Sequence, residues 1–205
     1  MPQRADQGSV RAVGEEDRGS PKPLAWVVIG LGLTAAAIVF ATAPLATLVG
    51  PGRYALEGVL HGVSAGLFLV TATIGLFQAY RLLTGTVQHA APLEFGSVAN
   101  AFLAFLTILF GNRIYIFYRA PTGPRAYFLE QMPAIHKVFF EFKEFAALFT
   151  LPLGVAAAAL FLVYREQLLR FRGLRSLAAM LLALTFFYLM VAFVLGAAIT
   201  KLRTL

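Results

Sequence analysis

Long, unbroken apolar runs alternate with short polar connectors along this chain. The runs cover residues 24–49, 55–83, 97–118, 138–164 and 177–200. Each exceeds the ~18–20 residues that a helix needs to cross ~30 Å of hydrocarbon. None alternates apolar and polar positions with period two, so a closed β-barrel is excluded. The pattern predicts an all-α fold, an integral membrane helical bundle with five transmembrane helices. Residues 1–23 read as a disordered polar tail and 24–205 as a single five-helix transmembrane domain.

Composition sharpens that expectation. The chain has 205 residues, 59% of them hydrophobic, with a mean hydropathy of +0.76. Soluble domains are about 45–50% apolar, so little is left here for a soluble unit. The tail carries Glu15, Glu16 and Asp17 ahead of the first run, unlike the short basic start of a cleavable signal peptide. The chain has no cysteine, which excludes disulfides, thiolate metal sites and cysteine nucleophiles. The net charge of +7 is spread over connectors and helix ends. It forms no basic domain, so nucleic acid is not an expected partner. The expected surroundings are a lipid bilayer and other membrane protein subunits.

The charge distribution also bears on orientation. With five spans the termini lie on opposite sides. Nine basic residues fall on the N-terminal side and eight on the other. The compact cluster in the 165–176 connector, YREQLLRFRGLRS, decides for a cytoplasmic N-terminus, because short connectors count most. The expected location is a bacterial-type inner membrane. The 119–137 connector holds Pro121, Gly123, Pro124 and Pro133, which argue against a long helix. Its Tyr127, Phe128 and Leu129 suggest a segment lying in the membrane interface.

Chemistry must come from the few polar groups inside the spans. Helix direction gathers them at the side opposite the N-terminus. Glu57 and His61 come from the second span, Asn112 and Arg113 from the third, and Glu141, Lys143 and Glu144 from the fourth, with His136 just outside. These residues can form a structural ion network, with Arg113 and Lys143 snorkelling to headgroups. They can also form a site. His61 can ligate a metal or haem iron or relay protons, and Glu141 and Glu144 share one helix face at i and i+3. The candidates are therefore His61, Arg113 and His136 for a cofactor such as haem b or a quinone, and His61, Glu141 and Glu144 for a metal. His89 lies 28 residues from His61, roughly 42 Å along a helix, so the two cannot share one iron. Gly58, Gly62 and Gly66 form a small-xxx-small ridge beside His61. It reads either as a close helix-packing face or as room for a flat macrocycle. Pro44 and Pro152 are expected to kink their spans, and the cluster Phe139, Phe140, Phe142 and Phe145 to face lipid. Ser/His/Asp arrangements, phosphate loops and zincin motifs are absent from the sequence.

From about residue 66 to 202 the chain resembles small multi-span membrane proteins associated with cytochrome c oxidase assembly. The resemblance rests on YRLLTGTVQH, on IYIFYRA closing the third span, on EFAALFTLPLGVAAAALFLVYRE, and on the basic LLRFRGLRS. His89 matches the histidine that follows the earlier span in that family. The family's second histidine lies about two turns before the Pro-Leu pair, where this chain reads Lys143-Glu144, so that ligand is missing. What the resemblance implies is an accessory or assembly role in a respiratory or redox membrane complex, without catalytic activity of its own. Two other expectations use the same polar residues: a subunit holding one haem b or a quinone, and a small proton-coupled transporter.

Overall fold

The computed structural model describes residues 55–202. The tail, the 24–49 run and Pro44 lie outside the described residues. Within them the chain is helical, with no strand, and it contains four helices long and apolar enough to cross a membrane.

Helix α1 spans Ala55–Thr84 and α2 spans Ala91–Tyr118. A short helix α3, Pro124–Gln131, and a π-helical turn, Ile135–Phe140, lead into α4, Glu141–Arg170. Helix α5 spans Arg172–Leu202. The long helices alternate in direction. α1 packs against α2 and α5, and α4 packs against α2 and α5, which closes a ring of four. We call the end where α1 begins the upper end and the opposite one the lower end. Phe68, Ala72, Ala104 and Leu189 are among the positions buried inside the ring, while Val59, Val63, Leu67 and Val70 of α1 stay exposed. Apolar groups thus lie on both the inside and the outside of the ring.

α1 ends in a Schellman motif. The Gly85 N–H bonds the Leu82 carbonyl and the Thr86 N–H bonds the Arg81 carbonyl, at 3.2 and 3.0 Å. Gly85 takes φ +72°, the left-handed conformation that such a cap requires and that glycine adopts without Cβ strain.

The helices run past the apolar stretches at the lower end. The stretch at 165–176, expected as a connector, is helical except at Phe171 and at Arg165, where the helix kinks. Two features explain this. Leu168 is fully buried in a cluster with Leu82, Leu93 and Phe161, so the charged segment carries its own apolar anchor. Arg165 leaves helical geometry, with φ 42° and ψ −123°, and its Nε donates to Glu94 Oε1 at 3.0 Å. That ion pair holds a sparsely populated backbone conformation in place. The next residue, Glu166, accepts the Ala90 N–H at 3.2 Å. The departure from helical dihedrals in α4 falls at Arg165, while Pro152 lies inside the helix.

The 119–137 connector is a folded cap over the upper end. Phe128 is 2% exposed and packs with Tyr118 and Ile199, so it turns inward rather than lying in an interface. Phe139, Phe142 and Phe145 face outward, but Phe140 stacks on Tyr118 with ring centroids 4.2 Å apart.

Candidate functional site

The polar residues at the upper end separate into three groups. In the first, Glu57 sits in the opening turn of α1 and is 1% exposed. Arg113, five residues before the end of α2, reaches it with Nη2 at 3.5 Å from Oε1. Buried carboxylates persist only when paired, and α1 and α2 are neighbours in the ring. The pairing is incomplete, however. Glu57 Oε2 and Arg113 Nε are both buried without a hydrogen-bond partner among the described residues.

The second group is His61. One turn deeper on α1, its Nδ1 lies 2.9 Å from the Thr107 carbonyl. A carbonyl only accepts, so Nδ1 carries the hydrogen, and Nε2 keeps its lone pair in the neutral ring. Gly111 permits this contact. A Cβ at that position would stand 3.3 Å from His61 Cε1, tighter than ordinary packing. The Thr107 hydroxyl is itself bonded to the Leu103 carbonyl at 2.7 Å, so it does not compete for the imidazole.

The third group lies under the cap. His136 is buried between Tyr118 Oη, 2.9 Å from Nδ1, and Arg125 Nε, which donates to Nε2 at 3.1 Å. Arginine cannot accept, so Nε2 is the acceptor and Nδ1–H donates to the tyrosine oxygen. The whole ring is engaged, and its one lone pair faces a guanidinium. His136 is thus a structural member of the cap. Its ring is not free to serve as the second axial ligand of a haem.

The fourth-span residues diverge. Glu141 is exposed and faces outward, while Glu144 is half-buried beside Tyr115. The Lys143 stem lies against Gly196 of α5, and its ammonium is 5.4 Å from the centre of the Phe140 ring. Asn112 is exposed. Among the described residues no three histidine or carboxylate side chains converge as a metal-ligand set, so His61, Glu141 and Glu144 are not brought together as one. The i, i+3 spacing is real, but the rotation of α4 sends Glu141 to the outside.

The ridge of Gly58, Gly62 and Gly66 has no described atom within 4 Å of where any of the three Cβ atoms would stand. The helical glycine that meets the backbone of another helix is elsewhere: a Cβ on Gly154 of α4 would stand 3.3 Å from the Ala101 Cα of α2.

Several participants escaped the sequence reading. Arg125 and Tyr118 looked like connector and span end. Thr107 acts through its backbone, which no residue pattern reveals. The lower-end pair Glu94 and Arg165 lay in stretches read as connectors, although an acid and a base flanking two antiparallel helices at one end was a usable signal. Asn100 is 2% exposed with its Oδ1 unpartnered among the described residues. An asparagine this deep in the third apolar run is a signal that the sequence does carry.

Comparison with known proteins gives no relative: no family model, no curated protein and no solved structure matches the chain.

Proposed function

We propose that the protein is a multi-pass integral membrane subunit, with its 24–49 run as a fifth span, that serves a respiratory or redox membrane complex as an accessory or assembly component. We place it in a bacterial-type inner membrane with a cytoplasmic N-terminus. Four long apolar helices with apolar outer faces support the membrane assignment. The arginines at the lower end, on the side that five spans give to the N-terminus, support the orientation.

The observation that carries the accessory role is the first three turns of α1. There Glu57 holds a buried, half-satisfied ion pair, and directly beside it the Gly58, Gly62, Gly66 ridge has no described neighbour. Small residues let helix backbones approach closely in lipid, and an orphaned buried carboxylate oxygen favours a polar donor. A transmembrane helix from outside the described four would satisfy both, and we assign that role to a partner subunit. The test is gentle extraction of tagged protein. Wild type co-purifies with a defined membrane partner, and Gly62→Leu, which meets no described atom, stays folded and loses that partner. A wild-type protein that always runs as a lone monomer refutes the proposal.

A second reading has one observation in its favour. Metal-bound histidines almost always donate their other ring N–H to a carbonyl or carboxylate, and His61 does so to Thr107, leaving Nε2 free to bind. A single haem b or a quinone beside the glycine ridge is the matching cofactor class. The expected result on this reading is a Soret band and a reduced α-band in purified protein, both lost in His61→Ala. A spectrum unchanged by that substitution eliminates His61 as the ligand.

A further inference from the structure

The lower end carries chemistry that the upper site does not use. Among the described residues five arginines lie there, Arg81, Arg165, Arg170, Arg172 and Arg175, against two carboxylates. Both carboxylates are engaged: Glu94 pairs with Arg165, and Glu166 accepts the Ala90 N–H at the start of α2. Among the described residues the other four arginines have no carboxylate partner.

Two of them converge on one turn. Arg81 Nη2 donates to the Thr86 carbonyl at 3.2 Å. Arg175, from the first turn of α5, places Nη1 3.1 Å from where a Cβ of Gly85 would stand, and its buried Nε has no partner among the described residues. Gly85 therefore has two tasks, the cap of α1 and the space that admits the second guanidinium. Beside this turn opens a cavity of about 140 Å³. Its polar lining comes from Gln78, Arg81, Gln88 and His89, and its apolar lining from Val87, Pro92 and Leu93. At ~30 Å³ of liquid volume per water this is room for a phosphoryl group. Arginine guanidinium and glutamine amide offer donors suited to phosphate oxygens, with no carboxylate in the lining. The cavity lies at the end of helices that the membrane reading places at the cytoplasmic headgroup level, where anionic lipids concentrate.

We propose that this cavity binds a phosphoryl group, with Arg81 of its lining as the direct ligand and Arg175, outside the lining, adding positive charge beside the Gly85 turn, and that an anionic phospholipid headgroup supplies the phosphoryl. The choice of lipid as the source rests on the membrane reading; the site itself does not.

The experiment uses full-length protein in a neutral detergent and measures binding by native mass spectrometry and thermal shift. The probes are phosphatidylglycerol, phosphatidylcholine and inorganic phosphate. The proteins are wild type, Arg81→Gln/Arg175→Gln, Arg81→Lys/Arg175→Lys, and Arg119→Gln as an upper-end control. Phosphatidylglycerol is expected to bind wild type at least tenfold more tightly than phosphatidylcholine. At roughly a factor of five per arginine, the double glutamine variant loses roughly thirtyfold. The lysine variant, which keeps charge and fold, retains part of the affinity, and Arg119→Gln changes nothing. Saturable binding of inorganic phosphate with the same dependence on Arg81 and Arg175 supports the phosphoryl site and overturns the lipid as its source. Equal retention of the two lipids, or a loss no larger in the double variant than in Arg119→Gln, overturns the site. None of these outcomes depends on a partner subunit, so failure here is separate from failure of the accessory role.

Discussion

Arg113→Met destabilises the detergent-solubilised protein by about 3 kcal/mol, and adding Glu57→Met restores most of the loss. The sign follows from burial. Glu57 is 1% exposed and Arg113 is 29% exposed, so removing the arginine strands a carboxylate that cannot reach water. Breaking a buried pair from one side costs about 3–5 kcal/mol, and the part-exposed arginine places this case at the low end. Replacing both members by apolar residues of similar length removes the stranded charge and is often neutral or better. The double variant is therefore expected within about 1 kcal/mol of wild type. Thermal melting followed by circular dichroism checks it. The single substitution lowers the midpoint by roughly 6–12 °C at ~2–4 °C per kcal/mol for a chain of this size. A single variant that melts with wild type would mean that Glu57 draws its compensation from another group.

Sequence and structure agree where a signal is local and repeated. Four of the expected runs lie within long helices, because twenty or more consecutive apolar residues in a helix satisfy every backbone group internally. The gathering of polar groups at one end was legible too, since it follows from alternating helix direction alone. The pairing of Glu57 with Arg113, however, depends on helix rotation. So does the outward turn of Glu141, and nothing in a uniformly apolar run encodes rotation strongly. The lower helix ends were hidden for a different reason. The basic stretch at 165–176 read as a connector, and only the burial of Leu168 shows why the chain is helical beyond Arg165. The cap was obscured by its prolines and glycine, which announce a turn but not the burial of Phe128 and His136 that the turn permits.

The glycines give the second large effect, because they sit in opposite surroundings. Gly154→Leu is expected to cost about 3 kcal/mol or to prevent assembly of the four-helix ring, whereas Gly62→Leu leaves stability unchanged. The backbone of α2 decides the first case. A Cβ on Gly154 already stands 3.3 Å from the Ala101 Cα, inside the ~3.5–4.0 Å at which carbon atoms pack best. Alanine is close to neutral here. Its gain of about 1 kcal/mol in helix propensity offsets a contact that a shift of a few tenths of an ångström relieves. Leucine adds three further carbons against a wall of backbone, with Ala157 and Ala104 fully buried nearby, and the only relief is to move α2 away from α4. Overpacking on that scale costs about 1–3 kcal/mol, and here it also loosens the Glu94–Arg165 pair that joins the same two helices. At Gly62 no described atom lies within 4 Å, so the larger side chain meets nothing of the four-helix ring and the helix gains propensity. Melting midpoints of the three variants in detergent separate these cases. If Gly62→Leu instead unfolded as readily as Gly154→Leu, the ridge would be packed within the monomer, and the partner proposed for it would have to be sought on another face.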